Sequence, residues 1–559
     1  MFFRVKTVGH NSYVQVVESY RDEGRPRQRV LLTLGSLEEL RESGQLDSLL
    51  ASGSRLSETM LVLSAHQRGE LESPPPRRVG SVLVFERLWK QSGCKDVIER
   101  LIDERKFGFS VERAVFFTVL HRLLNSGSDR AALGKWQDDY RIEGIEDLQL
   151  HQLYRTMAFL GEELPEKEQA GATPFSPRCV KDQIEEALFQ RRRDLFSGLD
   201  LVFFDTTSIY FEGEGGETLG QHGHSKDHRG DLKQMVVGMI LDGEGRPVCC
   251  EMWPGNTTDV TTMIPVVDRL KKRFGIVRVC VVADRGMISK KTVQALEKRK
   301  LEYILGARMR KQKEVTEQVL SRAGRYEVVT PERRCKKDPS PLKVKEVWVA
   351  DEKSERRYVV CRNEEEARKD AHDREAIVAA LREALRRGEK SLVGNKGYRR
   401  YLRSEGQAFS VDEDRIEDEA RYDGTWVLRT NTTLPTRDVA LTYKQLWMVE
   451  EMFRSMKSLL TTRPIWHKCD ETIRGHVFCT FLALVLRKQL EDRLEAAGVD
   501  EEWARVLSDL DGLTQTDVAK DGKRFRIRSS PPGSAAKVLQ AVGVAIPPTL
   551  VQLTQEPAL

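Results

Sequence analysis

The 559-residue sequence lacks any apolar run that would carry it across a membrane. The longest apolar run near the C-terminus, Val477 to Leu486, is too short to span a bilayer and contains Cys479 and Thr480. The first residues, Met-Phe-Phe-Arg-Val-Lys, lack the apolar segment of a signal peptide. We therefore expect a cytoplasmic protein with no membrane partner.

The sequence also lacks a cysteine pattern for disulfides or zinc. Its nine cysteines include no Cys-x-x-Cys pair, and their number is odd. In a chain of this length, such a pattern is typical of reduced thiols in a reducing compartment.

The length predicts roughly three to four domains. With 40% hydrophobic and 32% charged residues, a large soluble core beneath a charged surface is expected rather than disorder.

Charge is unevenly distributed along the chain. The formal net charge is only +5, yet the segment from Thr261 to Lys313 has fifteen Lys and Arg against four acids, a local charge of +11. Such a basic block on an otherwise acidic chain is typical of a polyanion partner; the alternative is a solvated helix face. Asp284 lies inside the block, which favours the functional interpretation.

Hydrophobic periodicity divides the chain into a helical part and a strand-rich part. A hairpin pattern at 13–36 precedes helical patterns that continue to about residue 160, with Ser110 and Ser128 as predicted N-caps. From Leu199 the pattern changes to strands. The predicted strands are at 201–204, 234–241, 247–253, 277–283, 326–329, 346–350, 357–361 and 425–430. Predicted helices include a charged one at 364–387 and a final set from 443 to about 495.

Two of the predicted strands end on an aspartate, Asp205 and Asp284. A carboxylate at a strand end lies at the sheet edge where ligands bind. Alternatively, an aspartate there caps the next helix. Ser289 is better placed to cap the helix after Asp284, and the residues after Asp205 continue as strand, so neither aspartate is needed as a cap.

A third acid comes from the predicted helix that begins at Tyr443. Seven residues make two helical turns less about twenty degrees, so Tyr443, Glu450 and Lys457 share one stripe. Glu451 is about a hundred degrees away from that stripe. A neighbouring apolar stripe is expected to dock the helix; it contains Leu446, Val449, Met452, Phe453, Met456 and Leu460. The alternative for Glu450 is a surface ion pair with Arg454, four residues on.

Three carboxylates of this kind are the minimum set for a pair of divalent ions that performs phosphoryl transfer. The loop from His222 to His228 offers a second candidate, since it contains three histidines. A structural zinc there lacks a nearby Cys or Glu to complete the ligand set. Contact with phosphate or substrate from this loop is the favoured interpretation.

Together these blocks resemble the DDE transposases of bacterial insertion sequences, in the superfamily of insertion sequence four. The spacing of Tyr443, Glu450 and Lys457 is similar to that family's tyrosine-arginine-glutamate-lysine signature. The similar blocks elsewhere are Phe204 to Thr207, His224 to Gln234, Pro254 to Asp259 and Ala283 to Met287. The resemblance covers roughly residues 199–490, and the N-terminal hairpin is similar to one branch of the family.

The resemblance implies an α/β fold with a ribonuclease-H-like, mixed-sheet catalytic core, interrupted by a β-rich insertion. A mainly helical N-terminal region with a β-hairpin precedes this core. The expected regions are 1–72 (hairpin and helices), 79–162 (helical, DNA-end binding), 199–300 (first part of the core), 301–440 (β-rich insertion), 441–495 (second part of the core) and 496–559 (C-terminal region).

The resemblance also implies residue roles. Asp205, Asp284 and Glu450 are the expected catalytic and metal-binding triad. The signature arginine position is Leu446 here, which leaves two alternatives open: a nearby cation, Arg454 or Arg463, substitutes for the arginine, or that DNA contact is absent. The expected DNA contacts are Tyr443, Lys457, Arg454, Arg463, Arg285, Lys290, Lys291, Lys226 and Lys233.

The implied function is a DNA transposase that uses Mg²⁺, with Mn²⁺ as a substitute. It is expected to cleave double-stranded DNA at transposon terminal inverted repeats and to join the 3′ ends to target DNA, as a homodimer on paired ends. Two alternatives remain open. One is a ribonuclease-H-like DNA nuclease without strand transfer, and the other is a catalytically inactive, transposase-derived DNA-binding protein.

Overall fold

The structure is a computed structural model of the chain. It describes residues 2–9, 11–22, 25–54, 58–71, 73–103, 105–170, 172, 176–192, 200–276, 279–330, 341–350, 355–387, 398–405, 408–520 and 522–553. No helix in these ranges is both long and apolar enough to cross a membrane.

Strands occur in both halves of the chain. They are β1 (Phe2–Val8), β2 (Asn11–Asp22), β3 (Arg25–Ser36), β4 (Arg77–Arg78), β5 (Asp200–Tyr210), β6 (Gln234–Leu241), β7 (Pro247–Pro254), β8 (Val279–Ala283), β9 (Glu302–Gly306), β10 (Glu327–Val329), β11 (Leu342–Ala350), β12 (Glu355–Arg362), β13 (Leu402–Glu405), β14 (Ala408–Val411), β15 (Thr425–Thr430), β16 (Thr514–Lys520), β17 (Lys523–Arg528) and β18 (Leu550–Leu553).

Helices dominate residues 37–192 and the segment after residue 436. They are α1 (Leu37–Glu42), α2 (Gln45–Ser54), α3 (Glu58–Gln67), α4 (Gly80–Ser92), α5 (Cys94–Ile102), α6 (Val111–Leu124), α7 (Asp129–Ala131), α8 (Gln137–Asp139), α9 (Leu150–Gly161), α10 (Val180–Arg192), α11 (Asp259–Phe274), α12 (Lys290–Lys298), α13 (Glu364–Arg387), α14 (Glu413–Ala420), α15 (Thr436–Lys444), α16 (Trp447–Arg454), α17 (Asp470–Ala496), α18 (Trp503–Asp511) and α19 (Ala535–Val542). Short π-helical turns lie at Ala132–Trp136, Val315–Val319 and Ser455–Leu459, and 3₁₀ turns at Glu166–Glu168 and Tyr398–Arg400.

The N-terminal residues form a three-stranded antiparallel sheet in the order β1-β2-β3. The hairpin predicted at 13–36 is confirmed as β2 and β3. Strand β1 adds to it, although the sequence pattern of Phe2–Val8 was not assigned to a strand. Most of its side chains are exposed, so this strand lacks the buried face that produces a clear alternation of apolar and polar residues.

The centre of the molecule is a nine-stranded sheet in the order β10-β11-β12-β15-β9-β8-β5-β6-β7. Strands β5, β8 and β9 run parallel in its middle. Strands β6 and β7 continue from β5 as an antiparallel meander. On the other side, β15, β12, β11 and β10 add antiparallel to β9, so strands from the 301–440 segment extend this one sheet.

Both faces of the central strands are covered, which explains why β8 is a continuous apolar run. Val281 and Ala283 pack on one face with apolar side chains of α11 and α12. Cys280 and Val282 pack on the other face with the helical cluster that includes α16 and α17. A strand buried on both faces cannot alternate apolar and polar residues. The polar residue that follows it, Asp284, therefore marks the edge of the sheet.

Two helix predictions are wrong in detail. The helix expected from Ser128 to near Trp136 is interrupted after α7, because Leu133 and Gly134 have non-helical backbone angles and Gly134 has a φ of 130°. The helix expected from Tyr443 onward is divided as well. The amide of Leu446 bonds to the Tyr443 carbonyl three residues back, which ends α15, and a π-helical turn follows α16.

Candidate active site

Asp205 and Asp284 lie side by side at one edge of the central sheet. Strands β5 and β8 are parallel neighbours, and Phe204 is paired with Ala283. Asp205 is the next residue of β5 and Asp284 directly follows β8, so the two backbones are roughly one strand spacing apart, about 4.8 Å. Burial raises the pKa of Asp205 to about 6, and the nearby charge of Asp284 adds to this rise. Two acids thus share one partly enclosed edge.

Glu450 lies in the first turn of α16, which packs against β5 and β6. Val449, Met452 and Phe453 are buried and dock this helix, as the apolar stripe predicted. Glu450 is exposed, and within the described residues its carboxylate makes no hydrogen bond or ion pair. The alternative pairing with Arg454 does not form.

That arginine instead contacts Glu451, with its Nη1 2.7 Å from Oε2. Leu446, at the signature arginine position, is half-buried and packs against the core. The ion pair with Glu451 directs Arg454 away from Glu450. Of the two cations expected to substitute for the signature arginine, only Arg463 lies in the cluster of Lys457, described below.

Tyr443 connects α15 to the aspartate pair. Its hydroxyl donates a hydrogen bond to Oδ1 of Asp284 over 2.9 Å. Gly306 at the end of β9 leaves room for this contact, since a Cβ there would meet the tyrosine hydroxyl. Burial raises the pKa of Tyr443 well above its ordinary value, and Asp284 adds to the rise, so the hydroxyl stays protonated and keeps donating.

Lys226 brings a positive charge to Asp205. Its Nζ lies 4.0 Å from Oδ1 of Asp205 and 3.1 Å from Oδ2 of Asp259. Nζ also donates to the carbonyl oxygen and the hydroxyl of Thr206, over 2.6 and 3.0 Å. Sequence reasoning named Lys226 but missed Asp259 as a site residue. The sequence signal that could have identified Asp259 is its position as the last residue of the Pro254 to Asp259 block, which is similar to a block of the transposase family.

Lys457 and Arg463 share one carboxylate, that of Asp227. Nζ of Lys457 donates to Oδ1 of Asp227 over 2.8 Å, and Arg463 forms an ion pair with Oδ2. The guanidinium groups of Arg463 and Arg229 lie 5.5 and 5.4 Å from the ring centre of Tyr210. Burial lowers the pKa of Lys457, and its hydrogen bond to Asp227 opposes that shift.

Three further predicted cations follow Asp284 in the chain. Arg285, Lys290 and Lys291 are all exposed. The last two begin α12, whose first turn is capped as predicted, because the hydroxyl of Ser289 accepts the amide of Thr292 over 3.0 Å. A helix N-terminus carries a partial positive charge that adds to that of the side chains. By contrast, Lys233 forms an ion pair with Glu214.

Two cations of the basic block of 261–313 do not reach the surface. Arg269 and Arg273 are buried, with side chains only 4% and 2% exposed. Arg273 contacts Glu185 over 2.6 Å and Glu251 over 3.1 Å, and Arg269 contacts Glu251 over 3.0 Å. Their charges are neutralised inside the protein, so only the exposed part of the block can attract a polyanion.

One tight group of three possible metal ligands occurs in the described residues, and it is separate from the aspartate pair. It contains Asp129, His467 and His476. Nε2 of His476 faces the carbonyl of Thr462 over 3.1 Å, so Nδ1 carries the lone pair. The guanidinium of Arg122 donates to that nitrogen over 2.9 Å. Because a fixed cation already occupies the lone pair, this group is a hydrogen-bond cluster and a poor metal site.

The comparisons with known proteins agree with this geometry. The family model described as the transposase DDE domain matches residues 197–486, just over half of the chain. The chain belongs to the DDE transposase family. A second model, the N-terminal domain of IS1634 family transposases, matches residues 3–65, which identifies this transposase as one of a bacterial insertion sequence. No curated protein is similar enough to count as a match. The predicted resemblance is confirmed, and the DDE match includes Asp205, Asp284 and Glu450.

Proposed function

We propose that this transposase cleaves DNA at the terminal inverted repeats of its element and joins the 3′ ends to target DNA by metal-dependent phosphoryl transfer. Asp205, Asp284 and Glu450 are the proposed catalytic acids. The observation that carries the proposal is the pairing of the two aspartates at one edge of parallel strands, inside the matched domain.

The catalytic core is proposed to be ribonuclease-H-like. The strand order β9-β8-β5-β6-β7 supports this, with β5, β8 and β9 parallel and β6 antiparallel between β5 and β7. We propose that the 301–440 segment is an insertion into this core that lengthens its sheet. The helical region at 79–162 is proposed to bind the transposon ends.

The residues at the aspartate pair fit a divalent metal. All three proposed ligands offer carboxylate oxygens, which suit Mg²⁺ and Mn²⁺. Burial raises the pKa of Asp205 to about 6, against the opposing charge of Lys226, because the buried site disfavours the charged carboxylate, and a bound divalent cation would stabilise that charged form. A metal held there would supply activation of the attacking oxygen and stabilisation of the leaving oxygen of the phosphodiester. Asp205, Asp284 and Glu450 would hold it.

The surrounding side chains are proposed to hold these acids and the DNA. The Tyr443 hydroxyl keeps one oxygen of Asp284 hydrogen-bonded, which fixes the direction of the carboxylate. Lys457, with Arg463 beside it, is proposed to contact phosphates near the transferred strand. Arg285, Lys290 and Lys291 are proposed to contact flanking phosphates, because they are exposed and follow Asp284 within seven residues of the chain.

The test uses a plasmid that carries the DNA flanking this gene, incubated with Mg²⁺ and wild-type protein or Asp284→Asn. Asp268→Asn is a matched control, since Asp268 is a partly exposed acid of α11 that forms an ion pair with Arg299, the residue after α12. Excision and strand-transfer products with wild type and Asp268→Asn, but not with Asp284→Asn, would support the proposal.

Other outcomes would favour the alternatives. Cleavage without joined products would favour a nuclease on the same fold. Binding of the ends without cleavage by any variant would favour an inactive DNA-binding protein. A homodimer on paired ends is also proposed, and the mass of the protein–DNA complex in solution would test it.

A further inference from the structure

Asp259 lies beside the proposed metal site, and both of its carboxylate oxygens are engaged. The hydroxyl of Thr206 donates to Oδ1 over 2.6 Å. Nζ of Lys226 lies 3.1 Å from Oδ2. The residue is the first of α11, and Thr206 directly follows Asp205 on β5. Asp259 therefore connects two groups that border Asp205 without bonding to Asp205 itself.

The ammonium of Lys226 is fully used by this arrangement. A lysine ammonium has three donors. Here they face the carbonyl of Thr206, the hydroxyl of Thr206 and the carboxylate of Asp259. Asp205 lies 4.0 Å from Nζ, outside hydrogen-bond range. The lysine thus stays near Asp205 without forming a direct hydrogen bond to it.

The position of Lys226 is fixed by its backbone as well. Its amide donates to the hydroxyl of Ser208 over 2.8 Å. The loop before it packs backbone to backbone on the Pro254 to Asp259 loop, because a Cβ at Gly223 would meet the carbonyl of Gly255. The two loops that carry Lys226 and Asp259 are thereby held against each other, which makes their contact a built part of the site.

We infer that Asp259 is a positioning residue that holds the Lys226 ammonium away from Asp205 and keeps this carboxylate open to a divalent cation. A displacement of about 1 Å would turn the 4.0 Å ion pair into a direct hydrogen bond, and that bond would compete with the metal for Asp205. Without Asp259, one ammonium donor loses its partner, and Asp205 is the other carboxylate within 4.0 Å of Nζ in the described part of the chain. The inference rests on the proposed metal role of Asp205.

The test measures Mn²⁺ binding to the full-length protein without DNA, from the electron paramagnetic resonance signal of free Mn²⁺. Asp205→Asn defines the binding that depends on Asp205. Asp259→Asn is expected to weaken that binding by roughly 10–100-fold, the range found when partners of metal ligands are removed. Asp268→Asn, a change of the same kind on the same helix, is expected to leave the binding unchanged.

A double variant separates a positioning role from direct metal binding. If Asp259 acts through the lysine, Asp259→Asn combined with Lys226→Gln should bind Mn²⁺ about as well as Lys226→Gln alone, because the competing charge is gone. If the double variant stays as weak as Asp259→Asn, Asp259 is itself a ligand and the inference is overturned. Wild-type binding by Asp259→Asn would overturn it too.

Two further outcomes are distinguishable. If Asp259→Asn does not fold, Thr206→Val breaks the same arrangement from the other side, and the same loss of Mn²⁺ binding with the same rescue by Lys226→Gln is expected. Unchanged binding by Thr206→Val would then overturn the inference. If wild-type protein shows no Asp205-dependent Mn²⁺ binding, the proposed function fails, and this inference fails with it.

Discussion

Removing the Tyr443 hydroxyl should slow metal-dependent cleavage. In Tyr443→Phe the ring remains, but Oδ1 of Asp284 loses the hydrogen bond that it accepts over 2.9 Å. The carboxylate is exposed, so it can then rotate and take up water. We expect a less well directed metal ligand, and hence a higher Mg²⁺ concentration for half-maximal rate and a lower rate at saturation.

The size of the effect follows from the kind of hydrogen bond. A hydrogen bond to a charged group contributes roughly 1.5–3 kcal/mol. Because Asp284 is exposed, water replaces part of the lost bond, and we take about 1–1.5 kcal/mol as the net effect. Since about 1.4 kcal/mol corresponds to a factor of ten, the cleavage rate should fall by roughly 5–13-fold.

The assay is single-turnover cleavage of a transposon-end substrate over a range of Mg²⁺ concentrations. Tyr358→Phe is the matched control, because it removes a tyrosine hydrogen bond of the same 2.9 Å length, to Glu314, elsewhere in the central sheet. The reasoning would be refuted if Tyr443→Phe cleaved at the wild-type rate with wild-type Mg²⁺ dependence. An equal loss with Tyr358→Phe would also refute it, since the effect would then come from stability.

Three further predictions follow from the same contacts. Asp227→Asn removes the charge of a largely buried carboxylate that is bound by two cations. The protein should lose about 2 kcal/mol of stability in urea unfolding, less than the loss of a fully buried pair would cost. An unchanged unfolding midpoint would contradict this. Burial lowers the pKa of His121 from 6.5 to about 4, so the unfolded chain binds the proton first. The free energy of unfolding is therefore unaffected by this group above pH 6.5 and decreases by up to about 3 kcal/mol as the pH falls from 6.5 towards 4. His121→Phe should make the stability less dependent on pH in this range, as measured by thermal unfolding. A pH dependence as steep as that of wild type would be evidence against the assignment. Lys290→Ala should weaken DNA binding and lower the slope of log affinity against log salt by about 0.9, whereas Lys298→Ala, at the far end of the same helix, should leave both unchanged.

The parts of the fold that local sequence patterns determine were predictable. The apolar runs before Asp205 and Asp284 are buried strands because helices cover both faces of the sheet. The charged helix expected at 364–387 has those bounds in the structure. Ser289 caps α12 because its hydroxyl accepts an amide three residues on, a contact that sequence spacing alone specifies.

Long-range contacts account for what the sequence did not predict. Arg269 and Arg273 resemble surface cations in the sequence, but their partners Glu185 and Glu251 come from other elements. Likewise, no Gly or Pro in the sequence marks the break between α15 and α16. Asp259 lies more than fifty residues from Thr206, so its contact depends on how two loops pack.

The central claim is that Glu450 completes the catalytic set with the two aspartates. The most direct measurement compares Glu450→Gln with Glu451→Gln in Mg²⁺-dependent cleavage of a plasmid carrying a transposon end. Glu450 is exposed on the helix that packs against β5, whereas Glu451 contacts Arg454. The account predicts that Glu450→Gln loses more than the roughly hundredfold typical of residues outside the metal's direct ligands. Glu451→Gln, which weakens a surface ion pair, should cleave at close to the wild-type rate. Cleavage by Glu450→Gln at the wild-type rate, or its loss in Glu451→Gln alone, would contradict the account.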